Sequence, residues 1–153
     1  MQLAAGSSHD TNDNDSATGS GYDVRGQIFT TTATDDDGDL ILTPQILGGD
    51  FRINDYTSGH QYQPSVTTLD NGGFVVTWRD ESGTDHKDDD VAGDGHDIWA
   101  RVFKADGTEA VSEFRINEDT LSGNQYEPAI AALSNGSFVV TWRDHTGSSH
   151  SYN

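Results

Sequence analysis

Aspartate is the residue type that could do chemistry in this chain. Asp85, Asp88, Asp89, Asp90, Asp94 and Asp97 fall within 13 residues, with Gly93 and Gly95 among them. An earlier stretch carries Asp10, Asp13, Asp15 and Asp23, with Asn12 and Asn14 between. Hard divalent cations want several oxygen ligands on a flexible loop with glycines for sharp bends. Carboxylates crowded into one loop cannot all ionise at close range without a cation or a retained proton. These ten aspartates are therefore the expected metal ligands, and calcium the expected ion. A solvated acidic loop is the competing expectation. Neither stretch has the distal glutamate of an EF-hand. Asp35-Asp-Asp-Gly-Asp39 is a thinner third candidate.

Other site chemistries find little support. There is no cysteine, so thiolate metal sites and disulfides are absent. The six histidines (9, 60, 86, 96, 145 and 150) lack the short paired spacing of a zinc site, although His86 and His96 lie near aspartates that could share a transition metal. No Gly-x-Ser-x-Gly or phosphate loop occurs, and the acids form loop clusters rather than an isolated pair, so no enzyme is expected. The formal net charge is −18, from 26 acidic against 8 basic residues. That excludes nucleic acid and anionic membranes as natural partners and favours bound cations or a salt-rich exterior. No apolar run approaches membrane-spanning length, so no membrane insertion is expected. Met1-Gln-Leu-Ala-Ala5 lacks the basic flank and apolar core of a complete signal peptide. Secretion is thus an expectation from composition.

The elements that must position these loops are strands. Phe74-Val-Val-Thr-Trp-Arg-Asp80 is almost wholly β-branched or aromatic, and it recurs as Phe138-Val-Val-Thr-Trp-Arg-Asp144, 64 residues on. Phe74, Val76 and Trp78 point one way, yet Val75 is apolar too, so both faces are expected to be buried. Phe-Arg-Ile-Asn at 51–54 returns at 114–117. Gln61-Tyr-Gln-Pro64 returns as Gln125-Tyr-Glu-Pro128, and Tyr22–Phe29 matches His96–Phe103. The last match is offset by 74 residues against 63 for Phe-Arg-Ile-Asn, so the first copy has eleven extra residues, which fall in the 30–48 connection. No segment shows capped helical periodicity, so the chain is all-β, with apolar content of only 32% to build its core.

The unit is four strands in about 64 residues. It divides the chain into an acidic Gly/Ser/Asp loop segment at 1–21, strands three and four of a first repeat at 22–54, a complete repeat at 55–117, and strands one and two of a further repeat at 118–153. Gly6-Ser-Ser-His9 matches Gly147-Ser-Ser-His150, so the two ends are expected to be complementary halves of one unit. Short antiparallel strands buried on both faces predict β-propeller-like blades. A β-sandwich is the alternative fold.

Gly-Gly-Phe-Val-Val-Thr-Trp, the Asp/Gly loop, a strand ending in Phe before Asp-Gly, Glu-Phe-Arg-Ile-Asn and Gln-Tyr-Gln-Pro together resemble the tandem repeats of very large secreted bacterial proteins. Such repeats accompany RTX-type calcium-binding and adhesin-like modules. The resemblance covers the chain except 1–9 and 30–48, and it implies export to the cell surface and adhesion or assembly without fixing a ligand.

Assembly then follows from the pattern. Half-units leave unpaired strand edges, so partners are other copies of the chain or adjacent repeats, joined head to tail into a ring or a filament. A carbohydrate-binding lectin with cell-surface glycans as ligands is the alternative, from the recurring Trp78, Trp142, Trp99, Tyr62 and Tyr126. Against it, Trp78 and Trp142 alternate with Phe and Val, as core residues do. Arg79 and Arg143 follow those tryptophans and are expected to pair with loop aspartates.

Overall fold

The computed structural model describes residues 2–8, 21–36, 39–82, 95–117 and 123–145. Those residues are all-β apart from a single 3-10 turn at Ser134–Gly136. Among the described residues nine strands form three antiparallel sheets. The first sheet holds β1 (Gln2–Ser8), β2 (Asp23–Asp36) and β3 (Asp39–Arg52) in that order. The second holds β4 (Gln61–Thr68), β5 (Phe74–Asp80), β6 (Asp97–Phe103) and β7 (Glu109–Arg115). The third pairs β8 (Asn124–Ala132) with β9 (Phe138–His145).

β5 is the centre of the fold. It pairs with β4 on one side and β6 on the other. Phe74, Val76 and Trp78 join Val24, Ile28 and Ile53 of the first sheet region, with Trp99 and Phe103, in one core. Val75 and Thr77, pointing the other way, are equally buried. The alternating β-branched and aromatic residues thus fill both faces, as their pattern predicts. Apolar burial on two faces is the main stabilising term available to a strand this short.

Repeated sequence gives repeated irregularity. β4 and β8 each carry one extra residue against their partners, between Tyr62 and Ser65 and between Tyr126 and Ala129. Gln63 and Glu127, each just before a proline, take φ of 53° and 55° there. The bulge bends each strand at the same point. Side by side, β4 and β8 are bridged from Glu127 N to Gln63 Oε1 and from Ala132 N to Thr67 Oγ1, and the turns that follow them from Gly136 N to Asp70 Oδ2.

Two expectations change. Composition predicts a loop over 1–21, but Gln2–Ser8 pairs with β2 along its whole length. A backbone needs only a neighbouring strand edge to pair, and β2 offers one whatever the side chains opposite. The apolar stretch 40–47, interrupted by Pro44, reads in sequence as a short edge strand or a wandering loop; it is the returning strand of a long hairpin arm, with Thr30 through Asp36 pairing back onto Gln45 through Asp39. Its Ile41, Leu42, Ile46 and Leu47 are exposed.

Candidate functional site

Two of the ten expected metal ligands lie among the described residues, Asp23 and Asp97. Asp10, Asp13, Asp15, Asp85, Asp88, Asp89, Asp90 and Asp94 lie outside them. Asp23 opens β2, where Asn54 Nδ2 donates to its Oδ1 at 2.8 Å while Asn54 Oδ1 accepts from Val24 N at 2.8 Å. Asp97 opens β6 in the same way, with Asn117 Nδ2 donating at 2.7 Å and Asn117 Oδ1 accepting from Ile98 N at 2.8 Å. Arg115 Nη1 also stands 3.5 Å from Asp97 Oδ2. These two carboxylates therefore fasten strand three to the asparagine that ends Phe-Arg-Ile-Asn. Among the described residues no group of three histidines or acids is placed to hold a metal.

Asn54 also sits at a seam between sheets. Asn54 Nδ2 lies 3.3 Å from Gln61 Oε1, and Gln61 Nε2 reaches Asp80 Oδ2 at 3.2 Å. Gln125 Nε2 repeats the last contact to Asp144 Oδ1 at 3.1 Å. Gln61 N donates to Tyr22 O at 2.8 Å, and Gln125 N to His96 O at 2.9 Å. At the crossing the chains nearly touch. A Cβ on Gly21 would fall 1.6 Å from Gly59 O, and one on Gly95 2.0 Å from Gly123 O. Only glycine fits either place. Phe-Arg-Ile-Asn54 and Gln61-Tyr-Gln-Pro64 are thus the two sides of one hydrogen-bonded joint, while the second copy repeats the Gln125 bonds to His96 O and Asp144 but leaves Gln125 Oε1 buried without a partner among the described residues.

A ladder of cations and rings runs beside the seam. The Arg79 guanidinium lies 4.9 Å from the Tyr62 ring and 5.1 Å from the Tyr126 ring, and Arg143 lies 5.1 Å from Tyr126 on its other side. The two contacts of the largely buried Arg79 contribute up to about 2 kcal/mol each, and that of the exposed Arg143 about 0.5–1 kcal/mol. Arg79 also pairs with Glu81, not with a described loop aspartate, and Arg143 pairs with Glu127. His96 packs edge-on to Tyr126 and stands 3.5 Å from Glu81. Burial holds its imidazole below the usual pKa, against the pull of Glu81. The ladder escaped sequence reading, although Tyr62/Tyr126 and Arg79/Arg143 share one offset that could have flagged it.

Trp78 is fully buried and Trp99 nearly so, so neither ring can serve as a sugar platform. The exposed feature is the edge of β9. Its Phe138, Val140 and Trp142 are half-buried, while Val139, Thr141 and Arg143 face solvent. Among the described residues β9 pairs only with β8, so its outer row of peptide groups is open. No protein-family model, curated protein or solved structure matches the chain.

Proposed function

We propose that this chain is an extracellular structural repeat module, built of β-propeller-like blades, that joins further copies of itself by strand complementation. One observation carries the reading. Phe-Val-Val-Thr-Trp-Arg-Asp is packed on both faces in β5, whereas the same seven residues in β9 have one face and one edge open. A sequence shaped for the middle of a four-stranded sheet thus stands at the margin of a two-stranded one. A strand of the β2 type laid on β9, followed by one of the β3 type, would give the third sheet the arrangement of the second. A row of unpaired peptide groups is a template for such pairing.

Blades are favoured over a sandwich by the seam. A sandwich opposes two sheets. Here three sheets follow one another, each joined to the next through the same residues, with β4 and β8 side by side. Repeating one operation of that kind leads to a ring or an open filament. The charge, the acidic stretches and the resemblance to secreted repeats support a surface location and calcium as the stabilising ion. Among the described residues no helix is long and apolar enough to cross a membrane.

Sedimentation velocity across a concentration series, followed by electron microscopy, tests the reading. Concentration-dependent oligomers with a regular ring or filament form are expected. A monomer at every concentration would defeat it.

A further inference from the structure

In the register of its pairing, β1 stands on β2 as β5 stands on β6. Ser8 faces Asp23 and Gln2 faces Phe29, just as Asp80 faces Asp97 and Phe74 faces Phe103. The residues that occupy these equivalent places are unlike. Gly6 stands at the place of Trp78, Ala4 at that of Val76, Gln2 at that of Phe74, and Ser7 and Ser8 at those of Arg79 and Asp80. The pairing is also slipped against the repeat. Aligning Gly6-Ser-Ser-His9 with Gly147-Ser-Ser-His150 would put Leu3 at the place of Asp80, five residues from Ser8. β1 is the outermost strand of its sheet, so the position beyond it, taken by β4 in the second sheet, is open among the described residues.

We propose that β1 is a provisional occupant of a slot shaped for a Phe-Val-Val-Thr-Trp-Arg-Asp strand, and that β9 of a second copy displaces it. This rests on the self-association proposed above and adds where the incoming strand binds and what it must remove. In the β5 register, incoming Asp144 pairs with Asp23 and Phe138 with Phe29. Trp142 then takes the place opposite Arg25 that Trp78 takes opposite Trp99. Incoming Arg143 reaches Tyr62, as Arg79 reaches Tyr126 of the sheet that follows it. β8 of the same copy enters beside it as the outer strand, and the sheet becomes four-stranded. The exchange trades a strand of small and polar residues for one of large apolar residues on the same hydrogen-bonding edge. It also delays association until β1 has left, which makes β1 a brake on assembly.

A disulfide lock tests this, because the chain has no cysteine of its own. Ala4 pairs with Gln27 across the two strands, and facing residues in antiparallel strands are about 4.5–5.5 Å apart at Cα, within disulfide range. The double variant Ala4→Cys, Gln27→Cys is sedimented oxidised and reduced beside the full natural chain. Loss of the oligomer on oxidation and its return on reduction is the expected result. An oxidised chain that associates as well as the reduced one overturns the displacement and leaves self-association standing. A natural chain that never associates overturns both. Deleting 2–8 is the second variant and is expected to speed association. Slower or absent association by a deleted chain that keeps its β-sheet circular dichroism would show that β1 belongs to the sheet.

Discussion

Asn54 serves four groups from a fully buried position. It accepts from Val24 N and donates towards Asp23, Gln61 and Tyr56 O. A buried group left without a partner costs about 1–3 kcal/mol. Asn54→Ala is therefore expected to lower stability by about 2–4 kcal/mol in urea unfolding, through the Val24 amide and the Asp23 carboxylate together. Asn54→Asp keeps the acceptor for Val24 but sets a second carboxylate against Asp23. It should be as damaging at neutral pH and milder on acidification, whereas a role limited to filling space would leave it harmless. His96 gives a pH dependence of known sign. Burial holds its folded pKa below the usual 6.5, against the pull of Glu81, and the neighbouring Arg79 cation pushes the same way as burial. The unfolded chain therefore takes up the proton first as pH falls. The stability tied to neutral His96 is complete above about pH 6.5 and is lost on acidification. Between pH 7.5 and 5.5 the natural chain should melt progressively earlier. His96→Tyr, which installs the residue found at the matching position 22, should flatten that slope.

At the scale of elements, the core sheet and the β2–β3 arm behave differently. Strands β5 and β6 bury or half-bury every side chain, whereas the arm beyond Phe29 exposes Ile41, Leu42, Ile46 and Leu47 along β3. The matching connection in the second repeat is the short turn Lys104–Thr108, where Asp106 accepts from Thr108 N at 2.9 Å. Replacing 30–45 with the Lys104–Thr108 sequence should thus leave the melting temperature within a few degrees, since residues 30–33 and 41–45 are exposed. A large loss of stability would mean that the arm is part of the core. This contrast also marks what could be read from sequence. β5 announced itself because burial on two faces demands large apolar residues at successive positions. The Asn54 and Gln61 joint was visible as a repeat but not as a joint, because the partner of a buried amide depends on which strands meet. β1 could not be read at all. Its pairing is backbone to backbone and leaves no requirement on Gln2-Leu-Ala-Ala-Gly-Ser-Ser8. The clustered aspartates suggest ion chemistry in sequence, whereas Asp23 and Asp97 are bound to asparagines and the other eight lie outside the described residues.

For the whole molecule, the proposed association would have to overcome charge. Every copy carries −18, so bringing an edge of one to a slot of another is opposed over a distance set by ionic strength. The screening length is about 30 Å at 0.01 M salt and about 10 Å at 0.1 M. Repulsion spread over the acidic surface should therefore fade as sodium chloride rises, and the oligomer should gain at the expense of the monomer. Calcium would act in a second way, by occupying carboxylates whose crowding otherwise favours protonation. The two effects separate in one titration. Sedimentation and thermal melting are followed in sodium chloride, magnesium chloride and calcium chloride at matched ionic strength, each with and without EDTA. Calcium is expected to raise both the melting temperature and the oligomer fraction beyond its matched salts, because the smaller magnesium ion demands a stricter octahedron and keeps its waters. EDTA should reverse that gain and leave the sodium chloride effect untouched. Equal curves for all three salts would reduce the acidic stretches to a screened surface, with the strand edges alone holding copies together.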